Sequence, residues 1–257
     1  MKITFVGHST VLMEEGKTTI LTDPLFVSRI LLLKRKSLPG LQLKEIEKLD
    51  AVTISHAHTD HLNFPSLKMI KKHKLNPQLI VPAKVKPVVN FLNFKTTELT
   101  WEQSIQAGDF KITAVEVNHG QGRFLPCSKT GVSSYIFSAG KINILVAGDV
   151  DFGDNDYFER IGKQFDLNVV MLPVGGMRKV AYYEKRTGKK GVHIDPATAY
   201  QLFLKSQAKI IIPIHWGAIS LSGKNVDEAP MKLLEIAARD NNQDKVVILQ
   251  PGDELIF

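Results

Sequence analysis

Three histidines and an aspartate lie within six residues of this chain, at His56, His58, Asp60 and His61. Neutral imidazoles and carboxylates bind borderline metals such as zinc. In a bent loop, His56 and His58 can converge on one ion while Asp60 and His61 face a second. A single tetrahedral site cannot use all four side chains and still add distant ligands and a water, so the run predicts two ions. The alternative, a polar loop that caps the next helix, suits a single histidine better than this cluster.

The elements around this run place it at the end of a strand. Residues 50–54 form a short apolar, β-branched run that predicts a buried strand. After the histidines, apolar residues recur at helical spacing from Ser66 to about His73. Open α/β sheets place ligand sites at the carboxyl ends of their strands. The cluster therefore lies where an α/β protein would carry a functional site.

The H-x-H-x-D-H spacing resembles the signature of the metallo-β-lactamase superfamily of metal-dependent hydrolases. Two further runs, Gly7-His8-Ser9-Thr10 and Leu21-Thr22-Asp23-Pro24, narrow the likeness. They are similar to the branch that contains L-ascorbate-6-phosphate lactonases and N-acylphosphatidylethanolamine-hydrolysing phospholipase D. The resemblance implies an α/β fold, a four-layer αββα sandwich in which two mixed sheets are flanked by helices. Because no linker or composition break divides the chain, we expect residues 1–257 to form a single domain.

Later strand ends supply the other ligands that the resemblance implies. His119 and His215 each follow an apolar strand, and Asp149 follows Gly148, where the chain can turn tightly. Each of these residues is weak evidence alone, since a Gly-Asp pair is usually just a turn. By resemblance, His56, His58 and His119 hold the first ion, Asp60, His61 and His215 hold the second, and Asp149 bridges them. A histidine-rich ligand set with carboxylates favours zinc, with manganese or iron as alternatives.

Four residues are predicted to act on the substrate. His8 lies in the branch motif and is expected to line the pocket, although a buried histidine near a turn is usually structural. Arg123 is expected to meet a substrate anion, with a structural salt bridge as the alternative. His193 resembles a family histidine that faces the pocket and assists the leaving group; plain surface is the alternative. Asp60 is counted as catalytic as well as metal-binding.

Composition limits the class of protein and its partners. The chain has 257 residues, 44% hydrophobic and 23% charged, and no run of 18 to 20 uncharged apolar residues. The single Cys127 excludes an internal disulfide and suits a reducing compartment, so we expect a cytoplasmic protein without a signal peptide. A net charge of +7 favours anionic partners, although the scattered lysines also suit simple solubility.

One segment is ambiguous in the sequence. Residues 25–41 join an apolar run to a basic cluster. They predict a mobile lid or a peripheral contact with anionic lipid, or else a packed insertion or a subunit contact in a homo-oligomer. Other patterns predict helices over 44–49 and 82–92, and a closing strand over 245–249. Asp195 and Pro196 predict the start of a helix.

The function that follows is a metal-dependent hydrolase that uses a metal-bound hydroxide. We expect a small anionic substrate, first a phosphodiester or a phosphorylated small molecule. A lactone or other carboxylic ester is the alternative, and a non-catalytic metal-binding scaffold or sensor is a third. We expect no specific nucleic-acid partner, because the chain lacks the inserted domain of the nucleic-acid-processing relatives and an aromatic-interleaved basic stripe.

Overall fold

Two mixed β-sheets form the centre of the computed structural model, which describes residues 1–30, 33–120, 129–175, 193–219 and 228–257. The strands are β1 (Lys2–Gly7), β2 (Thr10–Glu15), β3 (Thr18–Thr22), β4 (Arg29–Ile30), β5 (Leu33–Lys34), β6 (Ala51–Thr53), β7 (Gln78–Pro82), β8 (Thr96–Leu99), β9 (Ser104–Ala107), β10 (Phe110–Val115), β11 (Ser134–Ala139), β12 (Ile142–Val146), β13 (Val169–Pro173), β14 (Ile210–Ile214) and β15 (Glu254–Ile256). The first sheet has the order β15-β1-β2-β3-β6-β7-β8 and the second β14-β13-β12-β11-β10-β9, while β4 and β5 form a separate hairpin. Each sheet has a parallel part, from β3 to β8 and from β12 to β14.

Helices cover the outer faces of both sheets. They are α1 (Phe64–Lys72), α2 (Lys86–Val89), α3 (Tyr157–Phe165), α4 (Pro196–Ser206) and α5 (Glu228–Ala238). The first two pack on the first sheet and the other three on the second. This arrangement confirms the expected α/β architecture of mixed sheets flanked by helices. Within the described ranges, every helix is too short or too polar to cross a membrane.

The alternation of side chains along the strands separates the core into layers. In β2 and β3, Met13 and Ile20 point into the core shared by the two sheets, whereas Leu12 and Leu21 join the cluster under α1. Successive side chains of a strand point to opposite faces, so strands covered on both sides are apolar on both faces. This is why the strand at 51–53 reads as an unbroken buried run.

Several sequence predictions differ from the structure. The helix expected over 82–92 is a single turn, α2, followed by a 3₁₀ turn at Asn90–Leu92, and the helix over 44–49 is only a 3₁₀ turn at Leu43–Glu45. No strand covers 245–249; only Val246 forms a bridge, to Ile211. Local periodicity favoured these elements. Residues 245–249 meet β14 at a single bridge, so no ladder forms there.

The segment over 25–41 is partly packed and partly exposed. Leu25 is fully buried and Arg35 is 7% exposed. The Arg35 guanidinium donates a hydrogen bond to the carbonyl oxygen of Leu25. The backbone N–H of Lys36 donates to the carbonyl oxygen of Ala218, 2.8 Å away. Leu38, by contrast, is 83% exposed. The segment, described except for residues 31 and 32, therefore has a packed base and an exposed tip at Leu38.

Candidate metal centre

The functional side chains lie in turns that follow strands. His8 follows β1, the histidine cluster follows β6, and His119, Asp149 and His215 follow β10, β12 and β14. Since these strand ends come from both sheets, the side chains meet between them. Gly148, before Asp149, has a φ of +66°, and a Cβ there would lie 2.7 Å from the Cβ of Ser55. The tight turn expected at Gly148 is therefore required by close approach as well as by backbone conformation.

A first set of donors consists of His56, His58, His119 and Asp149. One ligand atom from each lies within 4.8 Å of the others. His56 Nε2 is 2.9 Å from His58 Nδ1, and that nitrogen is 3.2 Å from His119 Nε2. Imidazole nitrogens turned toward one another at this distance cannot all act as hydrogen-bond partners, and a shared cation removes the conflict.

A second set consists of His8, Asp60, His61 and His215, again with one atom each within 4.8 Å. Asp60 Oδ2 lies 3.1 Å from His8 Nε2, 3.5 Å from His215 Nε2 and 3.7 Å from His61 Nε2. The sequence grouped three of these residues together and placed His8 with the substrate. His8 is instead 2% exposed and lies among the donors. Its contact with a substrate stays a prediction.

Asp149, a member of the first set, also contacts the second. Its Oδ2 is 3.5 Å from His56 Nε2 in the first set and 3.2 Å from His61 Nε2 in the second. Its Oδ1 is 3.2 Å from His215 Nε2. Both carboxylate oxygens are buried without a hydrogen-bond partner, as are His61 Nε2 and His215 Nε2. Burying polar atoms unpaired is costly, and convergent nitrogen and oxygen donors suit a divalent transition metal. The residues therefore fit a metal centre.

Charges within the cluster shift its protonation. Burial by itself raises the pKa of Asp149, but the positive charge of His215 and His61 outweighs burial and holds that pKa well below its usual range. The pKa of Asp60 is lowered in the same way, chiefly by His61. For His61, burial is outweighed by Asp149 and Asp23, so its pKa is raised. The carboxylates thus stay ionised, which is the form that binds metal.

Two aspartates contact Nδ1 of a histidine whose Nε2 faces the centre. Asp23 Oδ2 lies 2.7 Å from His61 Nδ1, and Asp23 also accepts hydrogen bonds from the backbone N–H and hydroxyl of Ser55. Asp151 Oδ1 lies 3.2 Å from His119 Nδ1. A carboxylate on the far nitrogen fixes the tautomer and the ring direction of a metal-binding histidine.

Asp151 also connects its own turn to the segments that carry Gly120 and His193. Its carboxylate accepts the backbone N–H of Gly120 at 3.2 Å and that of His193 at 3.1 Å. Asp151 was not among the residues predicted from the sequence, and Asp23 was named only as part of a motif. A usable signal existed for Asp23, since it directly follows β3, and the parallel neighbour of β3, β6, leads into the histidine cluster.

His193 reaches the centre from the turn before α4. Its Nδ1 lies 3.4 Å from Asp149 Oδ2, and its ring centroid is 5.3 Å from that of His119 and 5.1 Å from that of His215. Three histidines at the centre, His8, His193 and His215, have φ near +60°. This left-handed conformation is unfavourable for residues with a Cβ and clusters at functional sites. Arg123, the other predicted substrate contact, lies outside the described residues.

Comparison with known proteins finds metal-dependent hydrolases and a beta-lactamase superfamily domain. Residues 18–216 match the family model of the beta-lactamase superfamily domain. The chain is 28% identical over 267 residues to the mitochondrial N-acyl-phosphatidylethanolamine-hydrolyzing phospholipase D of Saccharomyces cerevisiae, covering 99% of this chain and 55% of that protein. It is 24% identical to a UPF0173 metal-dependent hydrolase of Bacillus cereus, covering 91% and 92%. The metallo hydrolase Igni18 of Ignicoccus hospitalis has the same fold, with a TM-score of 0.72, 18% identity and coverage of 99% and 97%.

Proposed function

The chain belongs to the metallo-β-lactamase superfamily and is a metal-dependent hydrolase, and from this premise we propose a dinuclear centre that cleaves a phosphodiester or a phosphorylated small molecule. The observation that carries the two-ion proposal is the position of Asp149, whose carboxylate contacts histidines of both donor sets. One ion would be held by His56, His58 and His119, and the other by Asp60, His61 and His215. Zinc is our first choice of metal, with manganese or iron as alternatives.

Divalent ions in such a centre lower the pKa of a bound water and polarise the scissile group. The protein's own residues hold and orient the reactants. Asp60, between His8 and His215, fixes one side of the centre. His193, held by its backbone N–H on Asp151, is our candidate for carrying a proton to the leaving oxygen. No side-chain nucleophile is needed in this scheme.

The substrate proposal is supported by charge and by relatives. The net charge of +7 favours anionic groups. The yeast and Caenorhabditis elegans relatives, each 28% identical, are named for hydrolysis of N-acyl-phosphatidylethanolamine, which contains a phosphodiester. The second candidate is a lactone or carboxylic ester, whose carbonyl the same centre would polarise. A scaffold or sensor without turnover is the third.

Partners and location form a further part of the proposal. The tip of the 25–41 segment combines Leu38, 83% exposed, with exposed Lys34 and Lys36. Apolar and basic side chains together suit a peripheral contact with anionic lipid, and a subunit contact in a homo-oligomer is the alternative. We propose a cytoplasmic location. We also propose that the protein has no specific nucleic-acid partner.

The test uses zinc- or manganese-loaded protein with an aromatic phosphodiester and a simple lactone, each with and without a chelator. Chelator-sensitive cleavage of the phosphodiester is the expected result, and lactone opening alone would favour the second candidate. Asp149→Ala should lose bound metal, measured by elemental analysis, together with turnover. Full activity in Asp149→Ala would contradict the dinuclear proposal. If fully metal-loaded wild-type protein turns over neither substrate, the result favours the third candidate, a scaffold or sensor.

A further inference from the structure

A cleft of about 500 Å³ opens beside His119, at the first donor set. Its walls come from the end of β8, the end of β10 and the segment before β11. Volumes of about 300 to 1,000 Å³ are typical of ligand pockets. Among the described residues that line it, His119 belongs to the metal centre and no member of the second donor set takes part. The cleft is thus continuous with one side of the centre.

The cleft lining is mostly apolar, with Thr100, Asn118 and Ser133 as its uncharged polar side chains. Leu99 and Val117 are 5% and 4% exposed and form its base, and Val132 lies beside them. None of its described lining residues is a lysine, arginine, aspartate or glutamate. An anionic group would find no charged partner there, whereas an apolar group would be removed from water. The anionic part of a substrate therefore belongs at the metal centre and an uncharged part in the cleft.

Trp101 forms the outer wall. Trp101 is 45% exposed. Its Nε1 donates a hydrogen bond of 2.8 Å to the carbonyl oxygen of Val132, across the cleft lining. This bond uses the single polar atom of the ring and fixes its direction. The indole is consequently a preorganised apolar surface at the mouth of the cleft.

We propose that this cleft takes an apolar substituent of the substrate, attached to the anionic group held at the metal centre. The proposal rests on the proposed hydrolase function and adds the location and chemistry of a specificity site. It commits to an uncharged, apolar group in contact with Trp101 and Val132.

The test is a series of 4-nitrophenyl phosphodiesters with methyl, butyl and octyl groups on the other oxygen. The leaving group is the same throughout, so differences report the substituent alone. Each fully buried methylene contributes up to a factor of about 4, and we expect kcat/KM to rise at least about tenfold from methyl to octyl. In Trp101→Ala this ratio should collapse. In the control Phe91→Ala, which removes an aromatic that is 58% exposed and does not line the cleft, the ratio should persist.

Binding of methylphosphonate and octylphosphonate to the zinc-loaded protein, measured by calorimetry, separates this proposal from the hydrolase proposal. Tighter binding of the octyl compound by at least about tenfold, lost in Trp101→Ala and kept in Phe91→Ala, supports the cleft even if no ester is turned over. Equal binding of the two phosphonates by wild type, or equal turnover of the whole ester series, overturns the cleft and leaves the hydrolase proposal standing.

Discussion

Replacing Asp151 by Asn should weaken metal binding without unfolding the protein. The amide keeps one oxygen, which can accept the backbone N–H of His193 or of Gly120, but it loses the charge and the second acceptor. An NH₂ group placed against His119 Nδ1 opposes the tautomer that the carboxylate holds at 3.2 Å. Loss of such a partner typically reduces metal affinity or activity about 10- to 100-fold. That range corresponds to about 1.4 to 2.7 kcal/mol of binding free energy.

The assay is competition for zinc between the protein and a chromophoric chelator, with Co²⁺ absorption as a second measurement of the histidine environment. Asp154→Asn is the matched control, because Asp154 is exposed and its side chain accepts a hydrogen bond from the backbone of Asp156. We expect the control to bind zinc as wild type does. Wild-type zinc affinity and an unchanged Co²⁺ spectrum in Asp151→Asn would refute the orienting role.

The same carboxylate should contribute to acid sensitivity. Burial raises the pKa of Asp151, but the hydrogen bond from His119 and its charge outweigh burial, and the pKa falls to about 2. A carboxylate with a depressed folded-state pKa stabilises the fold above its ordinary pKa of about 4 and loses that contribution as pH falls toward 2. Urea unfolding of metal-free protein between pH 5 and pH 3 should therefore show a smaller loss of stability in Asp151→Asn than in wild type. An equal loss of stability in Asp151→Asn and wild type would contradict this prediction.

Three further predictions concern the turns and the helix start. Gly148→Ala should destabilise the protein by more than about 1 kcal/mol, because the new Cβ meets Ser55 at 2.7 Å in a left-handed turn; an unchanged thermal midpoint would contradict this. Asp23→Asn should lower zinc affinity about 10- to 100-fold through His61, with Asp109→Asn as the control; equal affinities would refute it. Asp195→Ala removes the N-cap of α4 and should reduce the free energy of unfolding by about 1 kcal/mol in urea titrations.

Local signals predicted the strands and the histidine cluster that follows one of them, whereas the layered fold came from the family resemblance. Buried strands are visible as apolar runs, and a ligand that follows a strand joins other strand ends at one edge. The N-cap at Asp195 was likewise readable and is confirmed by its hydrogen bond from Thr198. His119, Asp149 and His215 were placed by family order, and the structure brings all three to the same centre.

The remaining features depend on contacts between distant segments. Asp151 accepts a hydrogen bond from His193, 42 positions away, and no local pattern encodes that meeting. The cleft beside Trp101 likewise depends on how the ends of β8 and β10 approach each other. His8 could be placed near the pocket by motif, but its position beside Asp60 follows from the packing of β1 against the loop after β6.

Each donor set draws on both sheets: the chain before residue 100 supplies two members of the first and three of the second, and the chain after it supplies the rest. Neither portion holds a complete set, so a bound ion acts as a cross-link between them. In a protein cut in the turn between β8 and β9, metal should therefore tighten the association of the two fragments beyond what their shared core provides. The extent to which the two fragments associate would then report how much metal is available.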